Sequence, residues 1–269
     1  MKKILFLIGF LLCSYPLFSS MVGRGQAEKV ISTFETFLNR ADDEATKKEK
    51  EMAETYNQNL FRSQTSVGAN IKKKWLREDY YEQILNPMKT GVIGSIEIPQ
   101  IDVKLPLYHG TSEEVLSVGV GHFYGSSLPV GGANTHCVLT GHRGLPNAKL
   151  FTRLDELKKG DLFYINVCEE ELIYQVCSIT VIEPEEVEAL AIREKEDLVS
   201  LVTCTPYGIN THRLVVTGKR IFLSETKKDS IKKRPWKARD VIFASLPFVF
   251  IIVEVVVVIK KRKERKHEK

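Results

Sequence analysis

Three residues of types suited to cysteine-dependent acyl transfer lie where apolar, β-branched runs of the chain break off. Cys204 ends the strand-like run Leu198–Thr203 and is followed by a turn containing proline and glycine. His142 lies in a turn flanked by glycines, and Arg213 follows a second turn nine residues after Cys204. Acyl transfer by cysteine needs a thiolate, a proton-transfer partner and a group that stabilises the oxyanion. The three residue types therefore form a candidate catalytic set.

The remaining histidines and cysteines have more ordinary interpretations. His212 is the main alternative to His142 because it lies close to Cys204 in the sequence. Neighbouring side chains on a strand face opposite sides, so His212 faces away if Arg213 faces the thiol. The other candidates are predicted turn or strand residues, namely His109, His122 and His136. The five cysteines form no CxxC pair and no zinc-ligand spacing, so neither a metal site nor a disulfide framework is expected.

The elements that must position these residues are short strands. From Gly91 onward, β-branched runs alternate with Gly and Pro, which favours a sandwich or a closed barrel. The candidate strands are Val92–Ile98, Val103–Tyr108, His136–Thr140, Asp161–Val167, Leu172–Ile182, Val199–Thr203 and Arg213–Phe222. Two short helical stretches are predicted at Lys149–Leu157 and Glu185–Leu190. Before the strands, apolar spacing predicts amphipathic helix over Gln26–Leu60, a loop over Arg62–Asn70 and a return to helix over Ile71–Leu85.

Two apolar segments flank this region. Residues 1–25 have a basic start and an apolar run from Ile4 to Val22, typical of a signal peptide or an N-terminal membrane anchor. Residues 241–259 are long enough for a transmembrane helix, with Glu254 inside the run, and residues 224–240 form a linker to it. The basic residues 260–269 predict a cytoplasmic tail, which leaves residues 26–238 outside the cell membrane.

Charge excludes one class of partner. The 269-residue chain has a formal net charge of +5. The last ten residues hold seven Lys or Arg and two Glu, so they carry all of that excess. The rest of the chain is neutral, and no nucleic-acid partner is expected.

Several ordered motifs carry a family resemblance. Ser200-Leu201-Val202-Thr203-Cys204 resembles the Thr-Leu-x-Thr-Cys signature of sortases, and the continuation to Arg213 is similar to that of class C, pilin-polymerising sortases. Further motifs follow the order of that family, at Gly94–Pro99, Leu107–Thr111, Leu139–Arg143 and Leu154–Asp161. The resemblance covers residues from about Gly91 to Phe222.

The resemblance implies a mostly β protein with an eight-stranded sortase-type barrel at 91–223, preceded by an N-terminal helical region at 26–90. It implies that Cys204 attacks the Thr–Gly bond of an LPxTG-like sorting signal, forming a thioester. By the same resemblance, His142 is the general acid/base, Arg213 orients substrate and stabilises the oxyanion, and Thr203 assists substrate positioning. An amine then resolves the thioester, most simply a pilin lysine. No cofactor and no metal are expected.

Two departures from the family pattern and two other functions remain. Ser200 replaces the first Thr of the signature, a mild change. The chain has no Asp-Pro-aromatic motif before the barrel, its nearest pattern being Asn86-Pro87-Met88, so we expect either no lid or one closed by other residues. The alternatives are a sortase that anchors surface proteins to the cell-wall precursor and a non-catalytic surface binding module. The joint presence of Cys204, His142 and Arg213 argues against the second.

Overall fold

The chain folds around a closed eight-stranded barrel, as predicted. The computed structural model describes residues 2–65, 77–144, 150–222, 235 and 238–267. Around the barrel the strands run in the order β1-β2-β3-β4-β7-β8-β6-β5. In chain order, β1 to β8 span Val92–Ile98, Val103–His109, Val120–His122, Thr135–Thr140, Leu162–Val167, Glu170–Ile182, Asp197–Thr205 and His212–Ile221. The mostly β barrel fold is therefore confirmed.

Three neighbouring strands matter most for function. Strand β4 pairs with β7 in parallel, from Thr135 opposite Asp197 to Thr140 opposite Val202. Strand β7 pairs with β8 antiparallel. Along β7 the side chains alternate: Val199 and Leu201 belong to the main hydrophobic core, whereas Val202 belongs to a smaller apolar cluster. Strands β4, β7 and β8 thus have an inner face toward the barrel core and an outer face toward a covering loop.

The described residues contain five α-helices: α1 at Lys2–Leu38, α2 at Asp43–Thr65, α3 at Glu78–Tyr81, α4 at Glu113–Val118 and α5 at Ala238–His267. The predicted helix over Gln26–Leu60 is divided between α1 and α2. The Asp42 carboxylate accepts the Glu44 N–H at 3.3 Å and starts the second helix. Helix α2 also continues to Thr65, through part of the predicted loop, and residues 66–76 lie outside the described part of the chain.

Two other helical predictions are shorter in the structure. The stretch predicted at Lys149–Leu157 contains a 3-10 turn at Leu154–Glu156, and the one at Glu185–Leu190 contains a 3-10 turn at Val187–Leu190. Strand β3 and helix α4 were absent from the predictions. Strand β3 has three residues, and it forms only because β2 and β4 pair with it from both sides.

The N-terminal helices pack on the barrel as part of one core. Tyr56 of α2 and Tyr81 of α3 are each 1% exposed and belong to the same hydrophobic cluster as the barrel strands. The buried Asn57 amide donates to the Leu128 carbonyl at 3.0 Å and accepts from the Leu128 N–H at 2.7 Å. Lys50 of α2 forms an ion pair with Glu170 of β6.

Two compact units make up the chain. The first, Gly23–Lys233, contains the barrel and its helices, and the second comprises Met1–Val22 and Arg234–Lys269. Within the second unit, the Phe6 and Phe250 rings lie 5.8 Å apart. Among the described residues, the segment Phe6–Leu38 is long and apolar enough to cross a membrane, by length and composition. Residues 241–259 are helical within α5, and a membrane crossing there stays a prediction. Most of the predicted linker at 224–240 lies outside the described residues.

Candidate active site

The three candidate catalytic residues lie at one end of three adjacent strands. Cys204, near the end of β7, is paired with Arg213 at the start of β8. Residues directly opposite each other in an antiparallel pair have side chains on the same face, with Cβ atoms about 5 Å apart. Continuing the β4–β7 register beyond Thr140 opposite Val202 places His142 level with Cys204. Strand pairing therefore brings the three residues of the prediction to one site.

By the alternation of side chains along the strands, all three residues belong to the outer face of the sheet. Cys204 is in phase with Val202, and Arg213 is in phase with Val215, two members of the small outer cluster. Ile182 and Leu190 pack against that cluster from the connection between β6 and β7. The Cys204 thiol is half-buried, so it lies at the edge of a covered apolar surface.

Thr203 lies on the opposite face from Cys204. It is 1% exposed, and its hydroxyl donates to the Gly141 carbonyl at 2.7 Å. The Gly141 N–H donates to the Val202 carbonyl at 3.1 Å, which extends the β4–β7 pairing by one residue. Thr203 thus contacts the backbone immediately before His142, an arrangement that favours positioning the histidine turn over direct contact with substrate.

The polar contacts of His142 and Arg213 come from nearby loops. His142 Nε2 lies 3.1 Å from Glu113 Oε1, at the start of α4, and the His142 side chain is 25% exposed. Arg213 donates from Nη1 to the carbonyls of Asn210 and His212, at 3.2 and 3.1 Å. These two bonds fix the guanidinium at the β7–β8 turn. His212 bonds instead to the Thr211 hydroxyl, at 2.9 Å.

Burial sets two other cysteines and two histidines of the barrel unit apart from this site. Burial raises the pKa of the Cys137 thiol well above its ordinary value and raises the pKa of the Cys168 thiol to about 12. Both are therefore protonated and poorly nucleophilic at neutral pH. Burial also lowers the pKa of His109 and of His122 to about 4, so both rings are neutral in the folded protein.

Arg143 is a residue of the site that the sequence predictions did not single out. It directly follows His142, and its side chain is 8% exposed. The guanidinium donates from Nη2 to Asp155 at 2.9 Å and from Nη1 to the Thr205 hydroxyl at 3.1 Å. Its position immediately after His142 in the Leu139–Arg143 motif was the one available signal. Glu113 had none, because the sequence did not predict α4.

The segment nearest in sequence to an Asp-Pro-aromatic lid lies against a helix. Met88 lines a cavity of about 430 Å³ together with residues of α1 and the turn after it, including Ser32, Phe37 and Arg40. This cavity is built on the helical side of the barrel. The position of Met88 does not replace the Asp-Pro-aromatic motif, which the sequence lacks.

Comparison with known proteins relates the chain to one family. A family model described as Sortase domain matches residues 96–221. The chain is 33% identical over 132 residues to a protein named Sortase D from Bacillus subtilis, covering 48% of this chain and 63% of that protein. The chain thus spans about three fifths of the length of this curated relative.

Solved structures extend the similarity beyond the barrel. The crystal structure of sortase C1 from Streptococcus agalactiae matches with a TM-score of 0.67 and 42% identity, covering 73% of this chain and 100% of that chain. Sortase C from Clostridium perfringens, with the C-terminal cell wall sorting motif, matches with a TM-score of 0.63 and 42% identity. That match covers 73% of this chain and 100% of the other.

Proposed function

The chain belongs to the sortase family, and from this premise we propose that it is a membrane-anchored cysteine transpeptidase acting on LPxTG-like sorting signals. The observation that carries the proposal is the meeting of His142, Cys204 and Arg213 at one end and one face of β4, β7 and β8. Each residue supplies one requirement of acyl transfer through a thioester.

In the first half-reaction, the Cys204 thiolate attacks the carbonyl carbon of the threonine in the sorting signal. A C–S bond forms, and the carbonyl becomes an oxyanion that the Arg213 guanidinium stabilises. The Thr–Gly C–N bond then breaks as His142 donates a proton to the leaving amine. The product is a thioester between the threonine acyl group and Cys204.

In the second half-reaction, an amine attacks the thioester carbonyl. His142 accepts the proton that the amine loses, the new C–N bond forms and the Cys204 thiolate leaves. The free enzyme is regenerated with His142 protonated, ready for the next leaving amine. Resemblance to class C sortases favours a pilin lysine as this acceptor and hence a role in pilus assembly.

The surroundings of the site support an extended apolar peptide as donor. The outer cluster of Val138, Val202 and Val215 leads along the sheet to Cys204. Tyr207 and Ile209, in the β7–β8 turn, are 47% and 68% exposed. Such surfaces suit the apolar residues that precede the scissile bond, while the apolar segment at Phe6–Leu38 suits attachment to the membrane from which sorting signals emerge.

The test is intact-mass measurement of the full-length protein in detergent after incubation with an LPxTG-type peptide. We expect a mass increase equal to the acyl part of the peptide, removed by hydroxylamine and absent in Cys204→Ala. The exposed Cys177 provides a matched control, because Cys177→Ala removes an accessible thiol outside the site and retains the adduct.

Two results would contradict the proposal: no adduct with any sorting-signal peptide, or an adduct that persists in Cys204→Ala. Acceptor choice is measured by adding a lysine-containing peptide and a cell-wall precursor amine in competition. Preferential transfer to lysine supports pilus assembly, whereas preferential transfer to the precursor supports the cell-wall anchoring alternative.

A further inference from the structure

We propose that Arg143 is a positioning residue that holds the histidine turn and the cysteine strand in catalytic register. This inference rests on the proposed roles of His142 and Cys204. The hydrogen bonds and ion pair of Arg143 go to Thr205 and Asp155 rather than to either reacting group. It acts through the residues next to them, since it directly follows His142 and donates to Thr205, which directly follows Cys204.

The guanidinium makes three different contacts from a buried position. Nη1 donates to the Thr205 hydroxyl, Nη2 forms an ion pair with Asp155, and the Tyr207 ring centroid lies 5.9 Å from the central carbon. Asp155 belongs to the 3-10 turn before β5, and Tyr207 belongs to the β7–β8 turn. One side chain therefore joins three segments that strand pairing alone does not connect at this end of the barrel.

The backbone next to Arg143 is fitted to the same contact. Gly144 has φ of +85°, and a Cβ atom at this position would lie 2.7 Å from the Tyr207 ring. The Tyr207 ring therefore packs directly against the backbone of the histidine turn, on the same side as the Arg143 guanidinium. The Gly144 N–H donates to the Thr152 hydroxyl at 3.0 Å, which fixes the turn from its other side.

Only an arginine supplies this combination. A planar guanidinium can donate in two directions and stack on an aromatic ring at once, whereas a lysine ammonium is a point charge on a flexible stem. Arg143→Lys therefore preserves the charge beside Asp155 and loses the geometry that joins it to Thr205 and Tyr207. Displacement of reacting groups by about 1 Å can lower a rate by about 100-fold.

The experiment compares Arg143→Lys with Arg153→Lys in the full-length protein. Arg153 has the same 8% side-chain exposure but bonds Glu156 and the Ile101 carbonyl. We expect Arg143→Lys to lower kcat for transpeptidation by about 10- to 100-fold with little change in KM. Arg153→Lys should leave kcat within about threefold of wild type. An effect on thermal stability alone, with kcat unchanged at 20 °C, would overturn the proposal.

A second readout needs no substrate. The rate at which iodoacetamide alkylates Cys204 reports on the pairing of the thiol with His142, and we expect Arg143→Lys to slow it toward the rate of His142→Ala. An alkylation rate equal to wild type would overturn the inference even if the protein proved inactive as a transpeptidase.

If Arg143→Lys fails to fold, Asp155→Asn serves instead. This substitution removes the carboxylate that pairs with Arg143, and the Asp155 side chain is 32% exposed. It should reduce kcat in the same direction, and an unchanged kcat would count against the proposal.

Discussion

The contact between His142 and Glu113 is the most exposed part of the proposed catalytic machinery. The Glu113 side chain is 81% exposed, and its Oε1 lies 3.1 Å from His142 Nε2. This bond occupies one ring nitrogen and leaves Nδ1 as the atom available to the thiol. Exposed pairs of this kind are worth about 0.2 to 1 kcal/mol and are screened by salt. Glu113 is therefore expected to tune the orientation of His142 rather than to control the reaction.

We predict that Glu113→Ala lowers kcat by no more than about fivefold at low salt, and that the difference from wild type shrinks at 1 M salt because salt screens the interaction. The measurement is steady-state transpeptidation at two salt concentrations. Glu114→Ala is the matched control: it removes the same charge from the same first turn of α4 and should leave kcat unchanged. A loss of 100-fold, or equal effects of the two variants, would be inconsistent with an orienting contact.

At the residue scale, the sequence predicted the functional residues that lie in short local motifs. Cys204, His142 and Arg213 each stand beside a strand end and a turn, and the nine-residue spacing placed Arg213 on a strand next to Cys204. The pairing of His142 with these two residues was implied by the family resemblance, because β4 and β7 are far apart in the sequence. Thr203 was assigned to substrate positioning, yet its side chain lies on the inner face and bonds the Gly141 carbonyl. Glu113 and Arg143 act through tertiary contacts with partners 29 and 62 positions away, and no local pattern encodes such contacts.

At the scale of elements, seven strands could be predicted and the eighth could not. Strand β3 consists of Val120, Gly121 and His122, a run too short for period or propensity to identify. It exists because β2 and β4 supply hydrogen-bonding partners on both of its edges. The closed barrel, by contrast, was implied by the family resemblance and is confirmed.

Docking of α2 on the barrel gives a prediction about stability. Asn57 is 2% exposed and satisfies both the N–H and the carbonyl of Leu128. Asn57→Ala leaves the buried Leu128 N–H without its partner, whereas the Leu128 carbonyl keeps the bond from the Val130 N–H at 2.8 Å. We therefore expect the free energy of unfolding to fall by about 1 to 3 kcal/mol. Urea denaturation measures the change. The exposed neighbour Gln58 gives the control, since Gln58→Ala should alter stability by less than about 0.5 kcal/mol. Equal effects of the two substitutions would show that the Asn57 bonds add nothing.

The same packing bears on how the N-terminal helices can be studied. Tyr56, Tyr81 and Ile84 are each at most 1% exposed within the core that includes the barrel strands. Removing residues 26–85 would expose this apolar surface to water, and it would also remove any part of these residues that lies near the active site. Substitutions are therefore a cleaner probe of the helices than deletion.

At the scale of the whole molecule, two buried histidines of the barrel contact the N-terminal region. The same histidines make the free energy of unfolding depend on pH. The Tyr81 hydroxyl lies 2.7 Å from His122 Nδ1, and the Tyr81 ring contacts the His109 ring edge-on at 4.7 Å between centroids. His122 Nε2 lies 2.8 Å from the Ser127 carbonyl, which only accepts, so Nε2 carries the hydrogen and Nδ1 accepts from Tyr81. The neutral ring satisfies every one of these contacts, and a second ring proton would face the Tyr81 hydroxyl.

We predict that stability declines as the pH falls below about 6.5, the ordinary pKa of histidine. Burial lowers the pKa of His122 to about 4, with a smaller contribution from neighbouring His109, so between these values the unfolded chain binds the proton and the folded protein does not. The stabilisation is complete above pH 6.5 and is lost toward pH 4. At pH 5 the loss for His122 amounts to about 2 kcal/mol.

Urea denaturation from pH 7.5 to 4.5 measures the free energy of unfolding and tests the predicted decline. His109→Gln removes one of the three buried histidines whose pKa burial lowers, His109, His122 and His136, and leaves the Tyr81–His122 bond, so it should make the decline shallower. A free energy that stays constant from pH 7.5 to 5, or a variant with an unchanged slope, would contradict the prediction.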